Sequence, residues 1–96
     1  MRWTWDENKN RINKRKHGIG FETAQFVFSD PLMVHRQDPN SEDERWHTIG
    51  MASNVVVIVA HTWPRPEHET GVEVGRIVSA RKATAHERRA YEDGDF

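Results

Sequence analysis

The chain has 96 residues, with 14 Lys and Arg against 15 Asp and Glu, and no cysteine. A domain of this length buries about 60–65% of its unfolded surface around one modest core, so one domain over residues 1–96 is expected, with no disulfide and no thiolate metal site. No apolar run reaches the roughly 18 residues of a membrane span, and the first six residues, Met-Arg-Trp-Thr-Trp-Asp, lack the apolar stretch of a signal peptide, which points to a cytosolic protein with no membrane partner.

The near-neutral total hides a segregation of charge. Residues 2–17 carry six Lys/Arg against two acids, residues 22–73 three against nine, and residues 76–91 five against one. If the two basic ends meet in space they make an anion-binding face that the whole-chain charge conceals; if they do not, they are two solvated basic surfaces.

In chain order, Trp3-Thr-Trp5 is short, alternating and aromatic, which suits a brief edge strand. Asp6 offers an N-cap for a helix running to about Lys16 and stopped by Gly18, with cations and His17 in its last turn as the helix dipole favours. Ile12 is its one aliphatic residue, so this helix is expected on the surface, touching the core through Ile12, Trp5 and cationic stems. Phe21, Ala24, Gln25 and Phe28 recur at helical spacing and predict a second helix ended by Ser29-Asp-Pro31. Leu32 to Gln37 and Arg45 to Met51 read as antiparallel strands joined by a polar loop over residues 38–44. Ser53-Asn54 is a turn, and Val55 to Ala60, apolar at every position, reads as the central strand of the sheet. Pro64 to Gly71 breaks the pattern, Val72 to Ala80 is a further strand, and Thr84 with Glu87 is a capping box opening a last helix to about Glu92. The expected fold is α+β: an antiparallel meander of about four strands, with the short N-terminal strand beside it, packed by two N-terminal helices and one C-terminal helix.

The segment from Arg76 to Tyr91 gathers five cations, Ser79, His86 and Tyr91 around one strand-to-helix junction, the kind of side chains that phosphate chemistry requires. Metal-assisted hydrolysis is not indicated, since no His-Glu-x-x-His and no Asp/Glu cluster with ligand spacing occurs, and no cofactor is expected. Ser79 has no adjacent base and no nucleophile-elbow glycines.

Several motifs together resemble one family. Trp5-Asp-Glu-Asn-Lys-Asn10, Lys16-His-Gly-Ile19, Val27-Phe-Ser-Asp-Pro31, Arg45-Trp-His-Thr-Ile-Gly50, Val59-Ala-His-Thr62 and the terminal Ser79-Ala-Arg-x-Ala-Thr-x-x-Glu-Arg-x-x-Tyr91 are similar to the BrnT toxins of type II toxin–antitoxin systems, over about residues 3–91. One departure is Pro64 before Arg65, which stiffens that loop. The resemblance implies a compact relative of the RelE fold and a ribonuclease that suppresses translation and growth. It also implies neutralisation by a BrnA-like ribbon-helix-helix antitoxin, in a heterotetramer of two toxins and two antitoxins that meets operator DNA only through the antitoxin.

Cleavage by internal attack needs a base for the 2′-hydroxyl, cations for the phosphorane and an acid for the leaving 5′-oxygen. Arg76 and Arg81 are the candidate phosphorane ligands, because guanidinium forks match phosphate oxygens; the competing reading of Arg76 is a salt bridge to Glu73 or Glu87. His61, after the most apolar strand, is the candidate acid or base, against a satisfied histidine at the core edge. His35, His47, His68 and His86 read as surface histidines. Tyr91 either meets a base or phosphate or packs the last helix, and Glu87 is either a general base or a cap and salt-bridge partner. Arg65, Arg88, Arg89, Lys82, Lys16 and His17 are candidate RNA contacts, and Lys9, Arg11, Lys14 and Arg15 extend that surface or simply solvate the first helix. The alternative to an enzyme is a non-catalytic RNA- or partner-binding module.

Overall fold

The computed structural model describes residues 1–40 and 44–96. Strand β1 is Arg2–Thr4, helix α1 Glu7–His17, helix α2 Phe21–Ala24, then a 3-10 turn over Gln25–Ser29. Strands β2 (Val34–Gln37), β3 (Arg45–Ala52), β4 (Val55–Thr62), β5 (Arg65–Pro66) and β6 (Glu73–Lys82) precede helix α3 (Ala85–Glu92). Strands order as β1-β6-β4-β3-β2, with β5 also paired to β6.

The meander β2-β3-β4-β6 is antiparallel as expected. The sheet as a whole is mixed, because β1 runs parallel to β6 and pairs Trp3 with Gly75. A side chain at Gly75 would collide with the Trp3 indole, which lies flat over that strand. The Pro64–Gly71 break contains the two-residue β5, and residues 41–43 of the expected polar loop lie outside the described residues. Ser53 and Asn54 both take positive φ, 49° and 64°, the geometry of a two-residue hairpin turn whose twist matches the strands it joins.

β4 is central and covered on both faces, which explains its unbroken apolar run. On one face Val57, Val59, Ile77 and Ala80 pack against Phe21, Ala24 and Val27. On the other, Ile49, Val56 and Ile58 pack against Tyr91 of α3. The β4–β6 ladder is irregular between Ala60–Ser79 and His61–Ile77, where β6 advances two residues for one on β4. Val78 is the bulged residue.

Helix α1 is not attached as the sequence suggests. Ile12 is 53% exposed, whereas Asn10 and Asn13 are buried. The Asn13 amide donates to the carbonyls of Ile19 (3.0 Å) and Ala80 (2.8 Å) and accepts from the Ala80 N–H (3.2 Å), so one side chain satisfies both backbone groups of a β6 residue. Asn10 accepts from the Phe21 N–H at 2.8 Å and donates to Glu22 at 3.0 Å. Asp6 caps the helix by accepting from the Asn8 and Lys9 N–H groups, and Gly18, φ 73°, ends it in the left-handed conformation. The second helix also differs: the expected stripe is interrupted after Ala24, where the chain tightens to 3-10 geometry, burying Val27 and leaving Phe26 58% exposed.

These brackets set an expectation for stability. Asn13→Ala strands three backbone groups in the interior, each costing about 1–3 kcal/mol when left without a partner, so a loss of about 3 kcal/mol is expected after partial relaxation. Ile12→Ala, at an exposed position, should fall within about 0.5 kcal/mol of the parent. Urea denaturation of both variants checks the contrast.

Candidate functional site

Strand pairing builds cross-sheet rows. Arg45 opposes Thr62, and the Arg76 N–H donates to the Thr62 hydroxyl at 2.9 Å from the far side, so Arg45, Thr62 and Arg76 form one row across β3, β4 and β6. His47, Ala60 and Ser79 form the next row, and Ile49, Ile58 and Arg81 the third. Neighbouring strands lie about 4.8 Å apart, which sets the outer Cα atoms of a row roughly 10 Å from each other, within joint reach of one phosphate for two arginine side chains. Ile49 and Ile58 of the third row lie under α3 with Arg81 partly exposed at their end, and the first two rows stand beyond them, small Ala60 at the centre of the second.

The bulge at Val78 makes this face. It returns Ile77 to the same core as Ala80 and turns Arg76 to the same side as Arg81. Arg36, paired with His47 across β2 and β3, adds a further cation on this face, its guanidinium 4.4 Å from the Phe96 ring centre. His47 Nε2 lies 3.7 Å from Asp38 Oδ2, longer than a hydrogen bond.

The candidate residues divide. Arg76 is exposed on β6, and among the described residues it forms no ion pair with Glu73 or Glu87. Arg81 and Glu87 bind each other through two 2.8 Å hydrogen bonds. Glu87 also accepts from the Thr84 N–H in the capping box, at 2.9 Å. The Arg81 hydrogen bond is the largest of the effects that pull the Glu87 carboxyl down to about 2, against burial, and the same bond raises Arg81 further. A carboxylate so held accepts protons poorly near neutrality, which favours its cap and salt-bridge reading. Tyr91 is buried and donates to Asp30 Oδ2 at 2.5 Å. That bond, with burial, pushes the phenol up to about 12. It ties α3 to the turn before β2, since Asp30 also accepts from the Leu32 and Met51 N–H groups.

His61 lies on the opposite face of the sheet from Arg76 and Arg81. Its ring is 1% exposed, edge-on to the stacked rings of Trp3 and Phe28. Nδ1–H donates to the Thr62 carbonyl at 2.7 Å, so Nε2 carries the lone pair and accepts from the Thr48 hydroxyl at 2.6 Å. The Thr48 oxygen in turn accepts from His35 Nδ1–H at 2.7 Å. Burial is the main reason that His61 falls to about 4, and burial lowers His35 as well.

Of the candidate RNA contacts, Arg88 and Arg89 are exposed on α3. Arg65, on β5, pairs with Glu44 at 3.1 Å with both side chains mostly in solvent, an arrangement worth little to stability. Lys82 lies on the other face of β6 from Arg81, in a hollow with Lys14 and Glu22. Lys16 and His17 line a groove with Lys9, Val78 and Ser79, so the two basic segments of the chain do meet along the β6 edge. The sequence reading gave no role to Arg45 and set His47 among the surface histidines. The alternation Arg45-x-His47-x-Ile49 is a signal, but it names neither the strand nor the face opposite. Among the described residues no three His, Asp or Glu side chains converge as a metal-ligand set, and no helix is long and apolar enough to cross a membrane.

Arginines ranked across an open sheet face are the electrostatic footprint that a phosphate-binding protein requires. Comparison with protein families makes this specific: the family described as the ribonuclease toxin BrnT of type II toxin–antitoxin systems matches residues 5–87, and the chain belongs to that family. Membership carries an RNA substrate and an antitoxin partner. A search of the curated proteins returns no match.

Stability should fall on the acid side in two steps. His61 has an ordinary value of 6.5 and a folded value of about 4. Between those limits the unfolded chain takes up a proton that the folded chain refuses, so stability is greatest above pH 6.5 and declines as pH drops, by at most about 3 kcal/mol. His35 acts in the same direction. Glu87, about 2 in the fold against 4.5, adds a second decline beginning near pH 4.5. Unfolding free energies from pH 8 to pH 4 should show the first slope, and His61→Leu should flatten most of it. An unchanged slope in that variant would assign the loss elsewhere.

Proposed function

We propose that the chain is a RelE-like endoribonuclease that cleaves RNA without a metal, with the scissile phosphate held over the row formed by Arg45, Thr62 and Arg76. The observation that carries this reading is that row: Arg45 and Arg76 stand in register on either side of Thr62, on the same face as His47 one row away. Arg76 and Arg45 grip the nonbridging oxygens by bidentate hydrogen bonds that strengthen as charge develops on the phosphorane. His47, beside Asp38, takes the 2′-hydroxyl proton; the 2′-oxygen bonds to phosphorus as the bond to the 5′-oxygen breaks, and solvent water gives the departing 5′-oxygen its proton. Arg81, fixed by Glu87, holds the next phosphate along the strand, and Arg88, Arg89, Lys16 and His17 extend the track.

The partner in this reading is a BrnA-like ribbon-helix-helix antitoxin, in a complex of two toxins and two antitoxins whose operator DNA contacts come from the antitoxin. It inhibits by laying acidic or hydrogen-bonding groups over the arginine rows, in the cytoplasm where both proteins are made. Charge segregation supports this, since a partner matched to the basic face gains speed of encounter as well as specificity.

Arg76→Ala and Arg45→Ala should each slow cleavage of total RNA by ~10²–10³-fold, as loss of one charge-stabilising donor does, while Lys14→Ala stays within about threefold. Excess chelator should leave the rate unchanged. Activity that vanishes in chelator and returns with a divalent ion would overturn the metal-free mechanism, and folded protein with no cleavage in any condition would leave a binding module. Toxin–antitoxin association measured by stopped flow should slow steeply with salt, because steering is screened over about 8–10 Å at physiological ionic strength. A salt-insensitive rate, or a complex that still cleaves RNA, would place the inhibitor on another face.

A further inference from the structure

The other face of the sheet holds an aromatic hollow of about 150 Å³, walled by Trp3, Phe28, Trp63, Met33, His35 and His61, with Glu73 at its margin. A cavity of this size accommodates one six-membered aromatic ring, so a pyrimidine would enter whole and a purine by its six-membered, Watson–Crick half. Trp63 is the hinge of the arrangement. Its ring stands edge-on to His35 at 5.3 Å and against Trp46 at 4.6 Å. On its other side Trp63 lines a second hollow with Thr62 and Arg65. Thr62 belongs to the arginine row, so a nucleic-acid strand gripped at that row passes Trp63 before it can leave the end of the sheet.

The polar equipment of the hollow is one-sided. His61 gives its only N–H to the Thr62 carbonyl, which forces Thr48 to donate to His61 and therefore to accept from His35 Nδ1–H. His35 consequently has one unassigned ring nitrogen, Nε2, and in the neutral ring it is an acceptor. Glu73 is an acceptor too. An acceptor-only margin favours a base that presents a ring N–H on its Watson–Crick edge. Uracil and guanine do so, whereas cytosine and adenine turn a ring lone pair toward the His35 lone pair.

We infer that this hollow binds one unstacked keto base of the RNA substrate, uracil or guanine, stacked on Trp63 and read by donation of its ring N–H to His35 Nε2, with Glu73 free to accept from the 2-amino group of guanine, and so sets the sequence preference of cleavage. The proposal rests on the ribonuclease reading for its consequence, but the binding it describes does not require cleavage. The fixed proton order through Thr48 makes the His35 acceptor a permanent feature, since reversing it would leave the His61 lone pair facing the Thr62 carbonyl.

The probes are the four 3′-mononucleotides, titrated calorimetrically into the full chain. All four carry the same phosphate, so contact with the arginine row cancels in their ratios. The uridine and guanosine nucleotides should bind about fivefold to tenfold tighter than the cytidine and adenosine ones, the worth of one hydrogen bond made rather than opposed. Trp63→Ala should weaken all four by about tenfold or more through loss of the stack. His35→Phe, which keeps a ring beside Trp63 but lacks the acceptor, should erase the keto preference. Arg76→Ala should weaken all four without changing their ratios. Equal affinities in the parent, or a preference that survives His35→Phe, would overturn the proposal even if the protein cleaves RNA. A preference present in protein that cleaves nothing would uphold the hollow and refute the ribonuclease reading. Loss of antitoxin affinity in Trp63→Ala with unchanged nucleotide binding would make the hollow a protein-docking site and overturn the inference.

Discussion

Where β4 passes from Ala60 to His61, β6 passes from Ser79 to Ile77, and the extra residue, Val78, governs which side chains share a face. Side chains alternate along a regular strand, so Arg76 and Arg81, five residues apart, would project to opposite faces of the sheet. The bulge shifts the alternation by one. Ile77 and Ala80, three apart, then both reach the core, and both arginines reach the open face. Without that one unpaired step the row from Arg45 through Thr62 would end on Ile77, and Arg76 would be driven toward the stacked Trp3 and Phe28.

Helix α1 covers the β6 edge two residues past the bulge. Strand β1 pairs with β6 only as far as Arg76, and the edge beyond it would otherwise expose backbone groups. Asn13 covers that edge at Ala80, doing with a side-chain amide what another strand would do with its backbone. The consequence reaches the surface. Because polar brackets at Asn10 and Asn13 hold α1, its remaining positions are released to carry Lys9, Lys14, Arg15 and Lys16 without a broad apolar stripe. The Tyr91–Asp30 bond does the corresponding task for α3, and the Arg81–Glu87 pair anchors the start of that helix to β6. In a chain with so small a core, directional bonds of this kind specify position where area alone would leave it loose.

The two faces are wired to each other at one end of the sheet. Thr62 points into the arginine row with its hydroxyl, while its carbonyl fixes the His61 tautomer behind it. That tautomer orders the Thr48 hydroxyl and then His35, so the protonation pattern of the aromatic hollow is set by a residue of the opposite face. Burial of His61 is what keeps this chain neutral, at the cost of acid stability.

The elements themselves were legible because each rests on local chemistry. The Asp6 and Thr84 caps, the Ser53-Asn54 turn, the central apolar strand and the motifs that carry the family resemblance are all short-range patterns, and each is found where the pattern places it. The attachment of α1 was not legible, because an asparagine that saturates a distant strand looks the same in sequence as one in solvent. Nor was the parallel pairing of β1, which depends on Gly75 admitting an indole from the other end of the chain. For the site, the sequence by itself determined which residues could meet a phosphate: the arginines, the histidines and their basic surroundings. Only the tertiary structure decided that Arg45, His47 and Arg76 share a face while His61 lies behind it, that Arg81 and Glu87 hold each other, and that Tyr91 is spent on Asp30. The physical reason is that a face is defined by register, and register here turns on one bulged residue whose own side chain carries no signal of it.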